Sequence, residues 1–224
     1  AWGGGADSGG RSVVPALRAG GVRRIDAVVL SHEDLDHIGG ALTLLETFEV
    51  DTLHSSLPAA HPLNALAAAR RCAAGQAWEW DGVRFEFLHP GAGQGYRKND
   101  GSCVLRIATA AGAMLLTGDI ERAAESDLVS SNARIKADVL LVPHHGSRTS
   151  STTGFIDAVS PRWAIVAAGY RNRFGHPSAE VLERYRAAGV RLLRTDLDGA
   201  ASIRLGEQLS VSTERARRGR YWLQ

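Results

Sequence analysis

The sequence predicts an α/β protein in which helices cover both faces of β-sheet structure. Apolar runs of strand length alternate with segments of helical periodicity through most of the 224 residues. Antiparallel hairpins are mixed in, most clearly where two strand-like runs surround the turn at Ala111 and Gly112. No interior linker or low-complexity segment interrupts this pattern, so we predict one domain over residues 1–224.

The elements are assigned from their periodicity and from the residues that end them. Pro15 lies near the first turn of the first helix, the third helix is alanine-rich, and Ser178 and Gly189 suit the two ends of the last helix. Strands are predicted at residues 25–30, 50–53, 83–88, 102–108, 113–117, 137–142, 163–168, 191–195, 200–205 and 209–212. Helices are predicted at residues 11–19, 38–48, 62–74, 120–129, 155–159 and 178–188. Residues 1–10 and 89–101 are glycine-rich loops.

One turn stands out, because it carries four residues that can ligate a metal. It follows the buried strand at residues 25–30, and its ligand candidates are His32, Asp34, Asp36 and His37. Open α/β sheets place ligands at the carboxyl ends of their strands. Gly39 and Gly40 then let the backbone pass close to a bound group. A solvated polar turn is the alternative, but two histidines flanking two aspartates in six residues favour a metal site.

Polar side chains follow several later strands in the same way. None is specific alone, since Thr-Gly-Asp is a common turn, and single histidines are more often surface or core residues than ligands. Their recurrence at the ends of successive buried strands predicts that they converge on one cleft. The residues in question are Asp119, His144, His145 and His176.

Composition excludes several other classes of protein. The chain is 44% hydrophobic and 22% charged, which is typical of a globular domain. No apolar run approaches the ~20 residues that span a bilayer, and no signal peptide is visible. Cys72 and Cys103 are interpreted as buried small side chains, and a disulfide between them is left open. Because the chain begins at Ala1 in a glycine-rich stretch, we expect a fragment of a longer protein.

The small net charge of +2 neither requires nor excludes a nucleic-acid partner. Basic residues gather at the carboxyl end beside two aromatic residues. The simpler interpretation is a solvated tail. The more specific interpretation is an arm that contacts phosphates and stacks on bases. The residues are Arg215, Arg217, Arg218, Arg220, Tyr221 and Trp222.

Taken together, these motifs resemble the metallo-β-lactamase superfamily, whose usual signature is HxHxDH, a later His, an Asp after a strand and a final His. Within it, the chain looks most like the carboxy-terminal domain of the ComEC family of DNA-internalisation competence proteins. The shared pieces run through almost the whole chain and are ADSGGRSVVPALRAGGVRRIDAVVLSHEDLDHIGG, NDGSCVLRI, LLTGDIE, VPHHGSRTS and FGHP. The resemblance implies a metallo-β-lactamase-like αββα sandwich that lacks its first strands in this chain.

Two departures from the superfamily signature concern the metal ligands. Asp34 stands where HxHxDH has its second histidine, and the later histidine is absent, with Gly101 near its expected place. Asn99 and Asp100 are the nearest polar side chains, although Asn-Asp-Gly is commonly a simple turn. A site richer in oxygen shifts the preference from zinc toward manganese or magnesium.

By the resemblance, the site holds two divalent ions, with Mn²⁺ expected first and Zn²⁺ or Mg²⁺ as alternatives. His32 and Asp34 would hold the first ion. Asp36, His37 and either His144 or His145 would hold the second, and Asp119 would bridge both. The resemblance makes Asp36, Asp119 and His176 the catalytic residues. Ser147, His176 and Asn99 would contact the substrate.

The activity that this resemblance implies is hydrolysis of DNA phosphodiester bonds, with degradation of the strand that is not imported. The expected partners are single-stranded DNA and the remainder of a membrane channel chain, with no signal for an oligomer. We expect a soluble domain on the outer or periplasmic side of the inner membrane. Two alternatives remain open at this stage: a non-catalytic module that binds DNA or a partner with a degraded metal site, and a hydrolase of small molecules on the same fold.

Overall fold

The computed structural model of the chain describes residues 7–93, 95–96, 98–131 and 133–217. It is a mixed α/β structure with two main sheets and a separate hairpin. The strands are β1 (Arg24–Leu30), β2 (Glu49–Ser55), β3 (Ala68–Arg71), β4 (Ala77–Trp80), β5 (Val83–His89), β6 (Val104–Thr109), β7 (Gly112–Leu116), β8 (Val139–Leu141), β9 (Trp163–Val166), β10 (Arg191–Arg194), β11 (Ala201–Leu205) and β12 (Leu209–Thr213). The helices are α1 (Val14–Ala19), α2 (Leu35–Ile38), α3 (Ala41–Thr47), α4 (Arg122–Ser130), α5 (Thr153–Val159), α6 (Ala179–Ala187), α7 (Thr195–Asp198) and α8 (Glu214–Arg217).

The first sheet is parallel and has the strand order β1-β2-β3. The second sheet has seven strands in the order β10-β9-β8-β7-β6-β5-β4. Its strands β4 to β7 are antiparallel, and β7 to β10 are parallel. Consequently β7, β8 and β9 all end at one edge of this sheet, which is where ligands bind in such folds.

Three apolar layers hold the sheets and helices together, as expected for an αββα sandwich. One layer joins the first sheet to α3 through residues such as Leu30 and Leu45. A second lies between the sheets, where Val29 of β1 packs with Phe87 and Leu105. The third covers the other face of the second sheet with α4, α5 and α6. Neighbouring residues of β1 therefore face different layers, as the period of a strand requires.

Two predicted helices differ in the structure. The helix expected at residues 38–48 is interrupted at Gly39 and Gly40, so that α2 and α3 are separate. Gly9 packs so closely on Gly40 that a Cβ added to Gly40 would lie 2.5 Å from the Gly9 nitrogen. This close approach of the two backbones explains why the helix does not run on through the glycine pair.

The alanine-rich helix predicted at residues 62–74 is wrong. The segment forms one 3₁₀ turn, Pro62–Ala65, and then β3, which pairs in parallel with β2. Cys72 follows β3 directly and forms a disulfide with Cys103, at the start of β6. Pairing and the covalent link, both with distant parts of the chain, override the helix propensity of alanine.

Other predicted strands and helices agree with the structure within a few residues, whereas β4, α7 and α8 were not predicted. Of the loop predicted at residues 1–10, residues 1–6 lie outside the described residues, and a π-helix begins at Gly9. The Ser178 hydroxyl accepts a hydrogen bond from the Val181 N–H and caps α6, as expected. Among the described residues, no helix has the length and apolar character needed to cross a membrane. Four of the basic and aromatic residues predicted as a carboxyl-terminal cluster lie outside the described residues: Arg218, Arg220, Tyr221 and Trp222.

Candidate metal centre

Three strand ends bring the candidate ligands together. His32 follows β1, and α2 carries Asp36 and His37 on the next turn. Asp119 follows β7, and His145 lies in the turn after β8. One ligand atom each from Asp36, His37, Asp119 and His145 lies within 4.8 Å of the others. The structure thus gathers residues from both sheets into one cluster with the chemistry of a divalent-metal site.

The turn after β8 has an uncommon backbone. His144 and His145 both have positive φ angles, 46° and 53°, a region that few residues other than glycine adopt. Gly146 continues the turn with φ of 82°, and its Cα faces Pro177 so closely that a Cβ would lie 2.6 Å from the proline Cβ. Backbone of this kind concentrates at functional sites.

Asp119 is the centre of the cluster and is buried. Its Oδ1 lies 3.1 Å from His37 Nε2, while its Oδ2 lies 3.7 Å from His145 Nε2 and 3.8 Å from His32 Nε2. Burial alone would raise the pKa of this carboxyl, but the contact with His37 and the surrounding imidazoles lower the pKa below its ordinary value. Asp119 is therefore an ionised carboxylate that faces several imidazoles at once.

Asp36 completes the cluster from the solvent side. Its Oδ2 lies 3.3 Å from His145 Nε2 and 3.8 Å from His37 Nε2. Contact with the His145 imidazole holds the pKa of Asp36 well below its ordinary value. Two carboxylates thus face the same pair of imidazoles, which suits a cation held between them.

His32 gives a direct test of whether the residues fit a metal. The side chain is 2% exposed, and its Nε2 has no hydrogen-bond partner among the residues that the structure describes. This nitrogen lies 3.6 Å from Asp34 Oδ2, on the same side as Asp119. Buried polar atoms almost always have a partner, and coordination to a cation would supply one here. The residues therefore fit a metal.

Outer contacts fix the imidazole rings. His145 Nδ1 lies 2.8 Å from the carbonyl oxygen of Ala167, so Nδ1 donates, and the Nε2 of the neutral ring carries a lone pair. Ser31 Oγ lies 3.1 Å from Nδ1 of both His32 and His37. A hydroxyl has one proton to donate, so at least one of these rings donates through its Nδ1. In the neutral form of that ring, Nε2 carries a lone pair that can bind a metal. Such outer partners are what ligating histidines ordinarily have.

His144 lies beside the cluster of four. Its Nε2 is 3.9 Å from Asp119 Oδ2, and its Nδ1 is 3.0 Å from Glu121 Oε1. Thr149 Oγ1 donates to the same Glu121 oxygen at 2.8 Å. Sequence reasoning did not single out Glu121, although it stands two residues after Asp119, within the quoted LLTGDIE piece.

Residues near the expected place of the later histidine have other partners. The Asn99 amide donates to Glu121 Oε1 at 3.2 Å. Asp100 Oδ1 accepts hydrogen bonds from the backbone N–H groups of Glu121 and Ala124, at the start of α4. Ser102 Oγ accepts from the Asp119 N–H at 3.1 Å. Through these hydrogen bonds, this region fixes the backbone of Asp119 and of the start of α4.

Ser147 and His176 occupy different positions relative to the cluster. Ser147 is buried, and its hydroxyl lies 3.0 Å from Thr149 Oγ1, within the turn that follows the histidine pair. The His176 ring lies 5.8 Å from the His144 ring. It also lines a cavity of about 180 Å³ together with Asp36 and His145.

His32 lines a second cavity, which has a volume of about 330 Å³. Its charged lining residues are two cations, Arg71 and Lys98, and one carboxylate, Glu33. The candidate centre thus borders two openings, and in one of them the cations outnumber the anion. A larger cavity of about 500 Å³ lies beside His89, and no candidate site residue lines it.

Comparison with known proteins places these features in context. The sequence profile described as the Metallo-beta-lactamase superfamily matches residues 3–170. Competence protein ComA of Neisseria gonorrhoeae is 41% identical over 213 residues, which are 95% of this chain and 30% of that protein. ComE operon protein 3 of Bacillus subtilis (strain 168) is 35% identical over 206 residues, which are 88% of this chain and 26% of that protein. The chain therefore spans about a quarter to a third of the length of these relatives.

The fold is also similar to that of a solved structure. CmlA, a diiron β-hydroxylase from Streptomyces venezuelae, aligns with a TM-score of 0.52 and 12% identity. The match covers 77% of this chain and 44% of that one. At this identity the likeness concerns the fold alone.

Proposed function

This chain belongs to the metallo-β-lactamase superfamily, its relatives include competence proteins of the ComEC family, and from this premise we propose that it is a metal-dependent phosphodiesterase acting on DNA. Its hydrolase fold and its candidate metal-binding group are the coarser findings on which the proposal rests. The observation that carries the proposal is the convergence of Asp36, His37, Asp119 and His145 beside the unsatisfied Nε2 of buried His32.

The proposed ligands divide into two overlapping sets. His37, His145, Asp36 and Asp119 would hold one divalent ion, and His32 and Asp34 would hold a second, with Asp119 between them. When bound, two such ions polarise a phosphoryl oxygen and make a water molecule more acidic. Three carboxylates among the ligands give the site an oxygen content that favours Mn²⁺ over Zn²⁺.

The chain's own residues would bind and orient the substrate. Arg71 and Lys98 line the cavity beside His32 together with one carboxylate, Glu33, and the excess of positive charge would attract a phosphodiester backbone. His176 lines the opposite cavity with Asp36 and His145, and would give a proton to the leaving oxygen. Burial lowers the pKa of His176, and the neighbouring His144 and His145 lower it further, so that a proton carried there would be transferred readily.

We also propose the setting in which this activity operates. The relatives named for competence are three to four times longer than this chain, so the domain would work as one part of a DNA-import protein in the inner membrane. On the outer or periplasmic side, it would degrade the strand that is not imported. Single-stranded DNA and the remainder of that protein would be its partners.

The proposal is tested by incubating the purified chain with linear single-stranded and double-stranded DNA and Mn²⁺. We expect cleavage that EDTA abolishes and that Asp36→Ala reduces at least about a hundredfold, because even outer-shell changes at metal sites cost 10–100-fold. Asp157→Ala, an exposed carboxylate on α5, is the matched control and should retain full activity.

Three outcomes would overturn the proposed function. They are cleavage that persists in EDTA, cleavage that Asp36→Ala leaves unchanged, and no cleavage with Mn²⁺, Mg²⁺ or Zn²⁺. Hydrolysis of a small thioester or lactone without hydrolysis of DNA would instead assign the site to a different substrate class.

A further inference from the structure

We propose that the loop at residues 169–176, named here the aromatic loop, is a platform on which bases of single-stranded DNA stack beside the candidate metal centre. The inference rests on the proposed function and adds to it the part of the protein that would contact the bases of the DNA. It concerns Tyr170 and Phe174, which sequence reasoning did not connect with a ligand.

Both aromatic side chains are unusually exposed for their size. Tyr170 is 70% exposed and Phe174 is 67% exposed. One exposed aromatic residue on a protein surface needs no explanation, but two within five residues of one loop are uncommon and suggest a ligand for that loop. About two thirds of each side chain is exposed to solvent, so each ring has surface with which a flat apolar partner can make contact.

Each ring is paired with an arginine. The Arg171 guanidinium carbon lies 5.2 Å from the centroid of the Tyr170 ring, and that of Arg173 lies 4.9 Å from the Phe174 centroid. No acidic residue occurs between residues 169 and 176. Aromatic faces with neighbouring guanidinium groups match a nucleotide, because the ring stacks on the base and the arginine pairs with the phosphate.

The loop is held in shape from within by Asn172. Its side-chain amide donates to the carbonyl oxygens of His176 and Gly169 at 2.6 and 3.3 Å, and its side-chain oxygen accepts from the His176 N–H at 3.0 Å. Since these bonds fix the backbone, a ligand that binds the exposed rings does not have to order the loop. Preorganisation of this kind favours affinity.

The position of the loop connects it with the centre. It follows β9, and Phe174 lines the cavity of about 180 Å³ that Asp36 and His145 also line. The Phe174 ring is nearly parallel to the His176 ring, at 16° and 6.2 Å. A base on Phe174 would therefore belong to a nucleotide next to the phosphate at the centre.

This geometry favours a single strand over a duplex. In a duplex the faces of the bases are already stacked on one another, whereas a single strand can splay its bases onto protein rings. Every base has a π-face, so the platform would tolerate any sequence.

The test measures binding without catalysis. Fluorescence anisotropy of labelled single-stranded oligonucleotides is recorded with metal-free protein in EDTA, at one fixed salt concentration, because phosphate contacts weaken with salt. One oligonucleotide is ordinary and one is abasic, with the same number of phosphates. Since no metal is present, the result is independent of whether the chain is a nuclease.

We expect Phe174→Ala to weaken binding of the ordinary oligonucleotide about 5- to 150-fold and binding of the abasic one less than about twofold. Phe174→Trp should retain the affinity, because it keeps a π-face. Trp80→Ala is the control, since Trp80 is an exposed aromatic residue at the opposite end of the second sheet and should leave both affinities unchanged. Equal melting temperatures of the variants would establish that all are folded.

The platform is excluded if Phe174→Ala weakens both oligonucleotides by the same factor, or neither. It is also excluded if the parent protein binds the abasic strand as tightly as the ordinary one, binds a duplex as tightly as a single strand, or binds no oligonucleotide. A parent protein that is inactive as a nuclease but discriminates ordinary from abasic strands would overturn the proposed function and leave the platform standing.

Discussion

The Nε2 atoms of His37 and His145 lie 3.3 Å apart, although 108 positions separate the two residues in the chain. Each ring has its Nδ1 engaged elsewhere, by Ser31 and by the Ala167 carbonyl oxygen. Two lone pairs cannot face each other at this distance without a proton or a cation between them. A carboxylate oxygen of Asp119 lies close to His37 Nε2, and one of Asp36 lies close to His145 Nε2. These two negative charges match a divalent cation better than a single proton.

Metal binding should therefore stabilise the fold. At a Mn²⁺ concentration a hundred times the dissociation constant, the free energy of unfolding should rise by about 2.7 kcal/mol. For a chain of this size, that corresponds to about 5–10 °C in melting temperature. Differential scanning fluorimetry checks this, and EDTA should reverse the shift. Asp119→Asn should abolish the shift while Asp157→Asn keeps it, and a shift that survives Asp119→Asn would contradict the assignment.

The disulfide between Cys72 and Cys103 should contribute substantially to stability. It closes a loop of 31 residues, for which the chain-entropy relation gives about 3–4 kcal/mol. It also anchors the start of β6, where the Cys103 N–H donates to the Ser31 carbonyl oxygen at 2.9 Å, next to His32. Replacing both cysteines by alanine should lower the free energy of urea unfolding by about 2–4 kcal/mol. A reductant should lower the unfolding midpoint of the parent and leave that of the double variant unchanged.

Glu125 should be a strong stabiliser of the segment that follows the histidine turn. Its buried carboxylate accepts hydrogen bonds from the backbone N–H groups of Ser151 and Thr152, just before α5. Glu125→Ala leaves the buried Ser151 donor without a partner, at about 1–3 kcal/mol, and the partly buried Thr152 donor at less, so we expect a loss of about 2–4 kcal/mol in chemical denaturation. Glu183→Ala, an exposed pair partner of Arg186, should cost less than about 0.5 kcal/mol. Similar losses for both variants would show that the Glu125 bonds contribute little.

Acid should destabilise the metal-free protein through His89. This side chain is 2% exposed, and burial lowers its pKa, although the hydrogen bond to the Asp100 carbonyl oxygen acts in the opposite direction. The unfolded chain then binds a proton more readily than the folded chain, so the stability from neutral His89 is fully present above about pH 6.5 and is lost as the pH falls below it. The melting temperature should fall from pH 7.5 to 5.5. The fall should be smaller in His89→Gln, and an equal fall in both proteins would contradict this role of His89.

The layers of the fold and the ends of the strands could be predicted from the sequence, because both follow from local periodicity. The cap of α6 at Ser178 is likewise a local signal. The helix predicted at residues 62–74 was wrong because the structure of that segment depends on pairing with β2 and on the disulfide to Cys103. The composition of the segment carries no information about either distant partner. Glu121 and Ser31 were missed for the same reason, since their importance lies in the imidazole nitrogens that they contact.

The choice between His144 and His145 also required the structure. Adjacent residues of one type have equivalent sequence signals, and only the left-handed backbone of the turn separates their directions. His145 enters the group of four with Asp36 and Asp119, while His144 turns its Nδ1 to Glu121. Their roles as ligands remain a proposal, which the Mn²⁺ titration addresses.

The candidate ligands come from both main sheets: Asp36 and His37 follow β1 of the first, and Asp119 and His145 follow β7 and β8 of the second. An ion held among them would be a non-covalent cross-link between the two halves of the sandwich. Separation of the halves would then require release of the ion. Amide hydrogen exchange around His37 and around His145 should therefore slow in step when the ion binds, as though the two distant turns were a single cooperative unit.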